Sequence, residues 1–407
     1  MPEAVIVSTA RTPIGRAFKG SLVDVRPDDL AATVVRAALE KVPGLDPALV
    51  EDLYLGCAEP SGEQGFNMAR VVAVLADLDH VPGATINRFC ASSVQTTRMA
   101  FHAIKAGEGE VFVSAGVECV SRYADWKGAG EGAGEVQNPL FADAQARTRA
   151  TAESNATWTD PREQGLLPDV YIAMGQTAEN VATSLGVSRQ AQDEWGVESQ
   201  NRAEKAVADG FFAREITPVT LPDGRVVEVD DCPRPGVTLE GVSGLKPVFR
   251  PDGTVTAGNA CPLNDGAAAL VVMSDTRAAE LGLTPLARVV STGVTALSPE
   301  VMGLGPVEAS KQALARAGMS VSDIDLFEIN EAFAAQVLPS ADQLGIPYDR
   351  LNVHGGAIAL GHPFGSTGAR ITTTLLNGLQ ARDGQLGLET MCVGGGQGMA
   401  IVYERLS

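Results

Sequence analysis

Residues 87–118 read NRFCASSVQTTRMAFHAIKAGEGEVFVSAGVE, and this stretch joins a helical pattern to a strand pattern. Val94, Phe101 and Ile104 fall on one stripe at helical spacing, and the run 110–118 that follows is short, apolar and rich in valine. Similar strand patterns occur at 4–9, 52–58, 324–330 and 386–394, and helical patterns at 30–41, 91–106, 308–317, 331–344 and 366–380. This alternation predicts an α/β fold with largely buried strands.

The two ends of the chain repeat one plan. After Cys90, a predicted helix leads to a strand ending in SAGVE; after GHPFGSTGAR (361–370), another leads to a strand ending in CVGGG. We infer an internal duplication whose copies meet at a shared seam. The predicted segments are 1–118, the first part of the N-terminal half; 119–255, an inserted loop domain and the return to that half; and 256–407, the C-terminal half.

Composition narrows the class of protein. The 407 residues are 45% hydrophobic and 20% charged, which is typical of a globular chain with a sizeable core. The net charge of −19 argues against binding to nucleic acid or to an anionic membrane. The N-terminus lacks a secretory pattern, and the six cysteines include no CxxC pair. We therefore expect a cytoplasmic protein with reduced thiols and no metal site.

Cys90 has three explanations when NRFCASS (87–93) is considered alone. It is a buried filler, a spare thiol or a nucleophile. The start of a predicted helix favours the thiolate, because the helix dipole and the free N–H groups stabilise negative charge there. These seven residues by themselves leave the choice open.

A nucleophile needs a base, and the chain has four histidines. His80 and His102 are expected to be structural, since one precedes a turn and the other lies within a predicted helix. His354 and His362 lie in the glycine-rich segment NVHGGAIALGHPFGSTGAR (352–370). Of these two, His362 is held between a glycine and a proline, which favours it as the base.

Polar groups at two other strand ends complete the candidates. Cys392 is a second thiol at the end of 386–394, where Gly394 can offer a backbone N–H to an oxyanion. Asn330 either donates to an oxyanion or caps the next helix, and Glu331 is expected to serve the first helical turn. Neither glycine-rich stretch fits a phosphate loop, because one lacks the lysine and the other lacks a following βαβ unit.

Seven blocks in this order closely resemble the thiolase family, from residue 4 to residue 404. They are ARTPIGRAFKGSL (10–22), NRFCASS (87–93), MGQTAENVA (174–182), GTVTAGNACPLNDGAAA (253–269), NEAFAAQ (330–336), GGAIALGHPFGSTGAR (355–370) and MCVGGGQG (391–398). The resemblance implies a thiolase-like fold: two duplicated α/β halves packed as five layers, αβαβα, with an inserted loop domain. It also implies a homodimer or homotetramer that exchanges acyl groups by reversible Claisen chemistry, with coenzyme A and acyl-CoA as substrates and no permanently bound cofactor.

The resemblance assigns roles to five residues. Cys90 is the nucleophile that becomes acylated, and His362 takes its proton. Cys392 is the acid and base at the α-carbon of acetyl-CoA. Asn330, through a bound water, and His362 form one oxyanion hole, and the N–H groups of Cys90 and Gly394 form the second.

The resemblance also implies contacts with coenzyme A and a preference for acyl chain length. Arg234 would meet the adenine-phosphate end, and Cys261 stands near the pantetheine where the family usually has serine. His354 stands where the family usually has asparagine, and we expect a structural substitute. Ala173 replaces the histidine typical of acetoacetyl-CoA thiolases, which favours a degradative enzyme for medium or longer acyl chains.

Three alternatives remain from the sequence. One is a short-chain acetoacetyl-CoA thiolase working in the biosynthetic direction. The second is a decarboxylating condensing enzyme, which the Asn330 motif and Cys392 disfavour because such enzymes use two histidines. The third is a noncatalytic CoA-binding or assembly subunit, and the retained reactive residues argue against inactivity but not against docking to a β-oxidation partner.

Overall fold

The computed structural model describes residues 2–123 and 137–407. Its strands are β1 (Ala4–Arg11), β2 (Gly15–Arg16), β3 (Asp52–Gly56), β4 (Gly83–Ile86), β5 (Val111–Cys119), β6 (Val219–Thr220), β7 (Val226–Val227), β8 (Asn264–Ser274), β9 (Ala287–Ala296), β10 (Leu326–Ile329), β11 (Leu386–Val393) and β12 (Gln397–Arg405). Its α-helices are α1 (Pro27–Glu40), α2 (Met68–Leu75), α3 (Ser92–Ala106), α4 (Ala142–Ser154), α5 (Met174–Leu185), α6 (Arg189–Ala208), α7 (Leu239–Ser243), α8 (Asp275–Glu280), α9 (Gly305–Ala317), α10 (Ala334–Leu344), α11 (Ala357–Leu360) and α12 (Thr367–Ala381).

The main sheet repeats one strand order in its two halves. The N-terminal order β1-β8-β5-β3 matches the C-terminal order β9-β12-β11-β10. In each half the first two pairings are antiparallel and the third is parallel. The two halves join where β1 pairs briefly with β9. The predicted duplication therefore has a topological counterpart in the sheet.

Helices cover both faces of each half. In the central layer α3 and α12 pack against each other and share one apolar cluster with strands of both halves. Outside it, α1 and α2 cover the N-terminal strands, and α9 and α10 cover the C-terminal strands. The layers run αβαβα, as expected. All eleven residues of β8 are buried, because it has helices on both sides.

Most predicted elements are confirmed, and the differences have local reasons. The missed strands are β2, β4, β6, β7, β8, β9 and β12. In β8, the first residues Asn264, Asp265 and Gly266 read as a turn. The helix predicted from 331 begins only at Ala334, after extended backbone at Phe333. The limits of the three segments stay a prediction; β8, which they assign to the C-terminal half, pairs with β1 and β5.

The inserted segment is more helical than its composition suggested. It contains α4, α5, α6 and α7, of which α6 is the longest. Residues 124–136 of the predicted loop domain (119–255) lie outside the described residues. Across the described part of the chain, no helix combines the length and the apolar character needed to cross a membrane.

Candidate active site

Cys90 lies in a short turn between β4 and α3. The preceding residue, Phe89, has φ of 44°, a left-handed conformation that is rare for an aromatic side chain. Ser92 closes the turn, because its Oγ accepts from Arg88 N at 2.9 Å and donates to Phe89 O at 2.7 Å. This strained turn directs the Cys90 side chain into the interior, where it is 9% exposed.

Burial makes Cys90 a thiol at rest. It raises the pKa of Cys90 to about 12, and the N–H groups of Cys90 itself and of Gly394 oppose the rise only in part. The N–H groups at this turn favour the thiolate, but desolvation outweighs them and keeps the thiol protonated. A base is needed to create the nucleophile.

His362 has the tautomer that a base requires. Thr367 Oγ1 donates to Pro363 O at 2.9 Å, so at 2.7 Å it must accept from His362 Nδ1–H. This leaves Nε2 unprotonated, with a lone pair that can accept a proton. Burial, and then the charge of Arg370, lower the pKa of His362 to about 3, which keeps the ring neutral.

Asn330 is brought to His362 rather than to a helix terminus. Its Nδ2 lies 3.2 Å from His362 Nε2, and the residue is 1% exposed at the end of β10. The capping alternative is wrong, because the N-cap residue of α10 is Phe333. The paired Asn330 and His362 groups can both face a developing negative oxygen.

Cys392 lies at the end of β11 in an apolar cluster. Three further sequence blocks meet it there, since the cluster includes Met174, Val255 and Phe333. Burial raises the pKa of Cys392 well above its usual range, and nearby Cys90 and Cys261 add to the rise. A protonated thiol in this place can deliver a proton to a carbanion.

Close backbone packing fixes the loop that carries His362. A Cβ at Gly116 would lie 2.1 Å from Gly365 O, and one at Gly365 would lie 2.3 Å from Val117 O. The carboxylate of Glu118 accepts from Gly365 N at 2.9 Å. Sequence reasoning missed Glu118; its place beside Gly116 at the strand end was the available signal.

Asn264 fixes the other end of that loop. Its Oδ1 accepts from His362 N at 2.8 Å, and its Nδ2 donates to Gly15 O at 2.9 Å. Gly361, with φ of 104°, leaves room for the Asn264 side chain. Asn264 was also missed, although it stands within one of the seven blocks.

Glu331 has a different role from the one expected. It lies before α10 and is fully buried, and it accepts from Ser199 Oγ at 2.7 Å, Asn352 Nδ2 at 2.8 Å and Ile358 N at 3.1 Å. The helical-turn interpretation is therefore wrong. Glu331 ties α6 to the segment that leads to His362.

A cavity of about 290 Å³ brings the two predicted CoA residues together. Arg234 and Cys261 both line it, together with Arg16 and Phe249. Arg16 was not predicted individually, although it lies in the first block. Two guanidinium groups at an apolar cavity can hold an anionic ligand with an apolar arm.

His354 is separate from these catalytic candidates. Its ring stacks on Phe211 with a centroid distance of 3.7 Å and an angle of 9°, and its Cε1 lies against Gly378. Burial lowers the pKa of His354 to about 4. These packing contacts agree with the structural role expected for it.

Comparison with known proteins identifies the family. The description "Thiolase, N-terminal domain" matches residues 4–276, and "Thiolase, C-terminal domain" matches residues 283–405. The chain belongs to the thiolase family. Among relatives of similar length, a 3-ketoacyl-CoA thiolase from Cronobacter sakazakii is 44% identical, with 100% of both chains covered.

Further thiolases widen the range of named activities. An Escherichia coli protein named 3-oxoadipyl-CoA/3-oxo-5,6-dehydrosuberyl-CoA thiolase is 43% identical, with 100% of both chains covered. A solved structure, the Bacillus anthracis acetyl-CoA acetyltransferase, has a TM-score of 0.86 and 38% identity over 100% of this chain and 99% of that one. The thiolase fold expected from the sequence is confirmed.

Proposed function

We propose that this chain cleaves 3-ketoacyl-CoA with coenzyme A, giving acetyl-CoA and a shortened acyl-CoA through an acyl group on Cys90. The observation that carries the proposal is that two buried thiols and a buried histidine converge: the turn of Cys90 packs against the strand of Cys392 and against the turn that follows His362. Each has the protonation state that its proposed task needs before substrate binds.

In the first half-reaction, Cys90 gives its proton to His362 Nε2 and its sulfur attacks the ketone carbon. The N–H groups of Cys90 and Gly394 stabilise the resulting oxyanion. The bond between the α- and β-carbons then breaks, and its electron pair becomes an enolate of acetyl-CoA. Asn330, through a water, and His362 hold the enolate oxygen, and Cys392 protonates the carbon.

In the second half-reaction, the Cys392 thiolate takes the proton of an incoming CoA thiol. The CoA sulfur attacks the acyl group on Cys90, and the Cys90 thiolate leaves and regains its proton from His362. The thioester bond energy is retained throughout, so the exchange is reversible. Reversibility also explains how one site serves cleavage and condensation.

The cavity lined by Arg16, Arg234 and Cys261 is the proposed CoA site. The exposed Arg234 guanidinium suits the phosphates, and Cys261, which lines the same cavity, would contact the pantetheine. Within the described residues, no cluster of metal-binding side chains accompanies it. The proposed chemistry uses thiols, an imidazole and backbone N–H groups alone.

The degradative direction is favoured over acetoacetyl-CoA synthesis. Relatives at 44% and 43% identity are named for 3-ketoacyl-CoA and 3-oxoadipyl-CoA, whereas the acetyl-CoA acetyltransferase shares 38%. We propose a medium or longer acyl substrate. Thiolysis of acetoacetyl-CoA that far exceeds thiolysis of every longer substrate would favour the biosynthetic alternative.

We further propose a cytoplasmic homodimer or homotetramer. The edge strand β4 is half-buried along its whole length and is paired on one side, with β3. Beside it, Phe66 is 94% exposed with φ of 53°. Such an edge pairs readily with a second copy of the chain. A β-oxidation hydratase/dehydrogenase subunit is an additional partner, which native mass measurement of cell extract would reveal.

Intact-protein mass spectrometry with peptide mapping tests the mechanism. A 3-ketoacyl-CoA is expected to leave an acyl adduct on Cys90 that disappears when CoA is added. Cys90→Ser should abolish the thioester adduct, whereas Cys119→Ala, a change at another buried cysteine, should keep it. Cys392→Ala should still form acyl-Cys90 from acyl-CoA but lose α-proton exchange of acetyl-CoA by about 100-fold or more.

An adduct on a different cysteine, or none in active protein, would contradict the proposal. Activity that needs malonyl-CoA and proceeds without acetyl-CoA would instead indicate a decarboxylating condensing enzyme. Binding of CoA without turnover by folded protein would support the noncatalytic alternative.

A further inference from the structure

A chain of side-chain hydrogen bonds joins the loop of Cys90 to the turn of Gly394. Arg88 Nη1 donates to Gln397 Oε1 at 2.8 Å, and Gln397 Nε2 donates to Gly394 O at 3.2 Å. The two loops are far apart in sequence, and the Gln397 side chain links them by hydrogen bonds. Both groups are half-buried, so water competes only partly for these bonds.

The turn that receives this chain is a three-glycine hairpin turn, closed by the pairing of Val393 with Gln397. Gly394, Gly395 and Gly396 connect β11 to β12, and the last two have φ of 74° and 80°. Three glycines in succession leave the backbone many accessible conformations. The far end is fixed, because Gly396 O accepts from Leu297 N at 2.8 Å. The near end, at Gly394, is held by Gln397 and by the Phe89 ring, 3.2 Å from the position of a Gly394 Cβ.

The Arg88 guanidinium begins this series of hydrogen bonds. Its Nη1 donates to the Gln397 oxygen, and its buried Nε has no hydrogen-bond partner among the described residues. A hydrogen bond from a charged donor is stronger and more directional than one between neutral groups. It fixes the Gln397 amide so that its NH2 group faces the Gly394 carbonyl.

We propose that Arg88 and Gln397 are positioning residues that hold Gly394 N–H at the oxyanion hole beside Cys90. The inference rests on the proposed function of Gly394 as an oxyanion donor. Neither side chain needs to touch the reacting atoms. They restrict the glycine turn, so that its N–H is already in place when the tetrahedral intermediate forms.

Four variants of the full-length enzyme test this role of Arg88 and Gln397. They are Gln397→Met, Gln397→Glu, Arg88→Met and the double change Arg88→Met with Gln397→Met. Each is expected to lower kcat by about 10- to 100-fold with KM for CoA within about twofold, because misplacing a donor by about 1 Å has an effect of this size. Gln397→Glu keeps an acceptor for Arg88 but loses the donor to Gly394, so it should resemble Gln397→Met. The double variant should be no slower than the worse single variant.

The matched control is Arg98→Met. Arg98 is a similarly buried arginine near Arg88, and no hydrogen bond to its side chain is present within residues 2–123 and 137–407. It should keep wild-type kcat. Iodoacetamide alkylation of Cys90, followed against pH, gives a second readout: its midpoint should move to higher pH in Gln397→Met and stay in place in Arg98→Met.

The outcomes separate the two proposals. If wild-type enzyme forms no acyl-Cys90, the proposed function fails whatever the variants do. If the adduct forms and folded Gln397→Met keeps the wild-type kcat and the wild-type alkylation midpoint, only the positioning role of Arg88 and Gln397 is wrong. Additive losses in the double variant, an equal loss in Arg98→Met, or wild-type activity in Gln397→Glu would also overturn it.

Discussion

At the scale of single residues, burial sets the protonation states on which the chemistry depends. The same desolvation raises the pKa of Cys90 to about 12 and lowers that of His362 to about 3. Both groups are therefore neutral at rest, and no Cys–His ion pair forms before substrate arrives. In the proposed mechanism, the proton moves as an oxyanion forms opposite the backbone N–H groups.

The buried His354 predicts a measurable pH dependence of stability. Its folded-state pKa is lowered to about 4 by burial, with Arg382 and Arg214 lowering it further and Asp209 opposing them. Between about pH 6.5 and 4, His354 is protonated in the unfolded chain but not in the folded chain. This residue therefore lowers the free energy of unfolding as the pH falls.

Replacing His354 by asparagine should remove that contribution. Over the same pH range, His354→Asn should lose unfolding free energy less steeply than wild type, by up to about 1.4 kcal/mol per pH unit. Urea unfolding at several pH values measures this difference. Thiolysis should stay within about twofold of wild type; a strong loss of kcat in the folded variant would instead give His354 a role in the reaction.

At the scale of elements, the candidate catalytic residues lie where helices and strands begin or end. Cys90 precedes α3, His362 precedes α12 and Cys392 ends β11. The packing of α3 against α12 therefore brings the nucleophile and base together. A Cβ on Gly368 of α12 would lie 2.5 Å from Val94 on α3, so these helices approach as closely as their backbones allow.

A methyl group at Gly116 should disturb this arrangement. In Gly116→Ala the new Cβ would clash with Gly365 O on the loop of His362, and both backbone segments are buried. We expect about 2–4 kcal/mol lower unfolding free energy and at least about a tenfold lower kcat. Urea unfolding and thiolysis kinetics measure the two effects.

Gly244→Ala is the matched control for that substitution. Gly244 has an ordinary φ of −78° and no atom within 4 Å of a Cβ. Gly244→Ala should change neither the free energy of unfolding nor kcat. Unchanged stability in Gly116→Ala would mean that the strand and loop can separate without cost, contrary to the close packing between them.

At the scale of the whole molecule, the edge β4 leads directly into the Cys90 loop. The position of Asn67 beside this edge is fixed, since its Nδ2 donates to Gly83 O at 2.9 Å and its Oδ1 accepts from Thr85 Oγ1 at 3.0 Å. Phe66 projects next to it. Association through this edge would support the catalytic turn from outside, so assembly and activity should be coupled.

Phe66→Asp tests that coupling. A charge in the centre of an apolar interface is strongly unfavourable, so the variant should be smaller than wild type by light scattering at equal concentration. Its kcat should fall as the assembly dissociates. Val229→Asp, at a residue that is 65% exposed, is the control and should keep the wild-type mass. A Phe66→Asp protein of unchanged mass would exclude Phe66 from the interface.

The sequence by itself determined the fold class, many of the elements, the duplicated plan and the family motifs that carry the candidate residues. Periodicity identified β1, β3, β5, β10 and β11, because their apolar runs are continuous and bounded by turns. It missed β8, whose first residues favour a turn and become a strand only when paired on both sides. Cys90, His362 and Cys392 were found because a distinctive motif surrounds each one.

Tertiary structure alone decided how those residues behave. Thr367 sets the tautomer of His362, Glu118 and Asn264 fix its loop, and Glu331 is an anchor instead of a helix-turn carboxylate. The physical reason is that pKa values and hydrogen-bond partners depend on burial and on residues distant in the chain. Local sequence patterns carry no record of either.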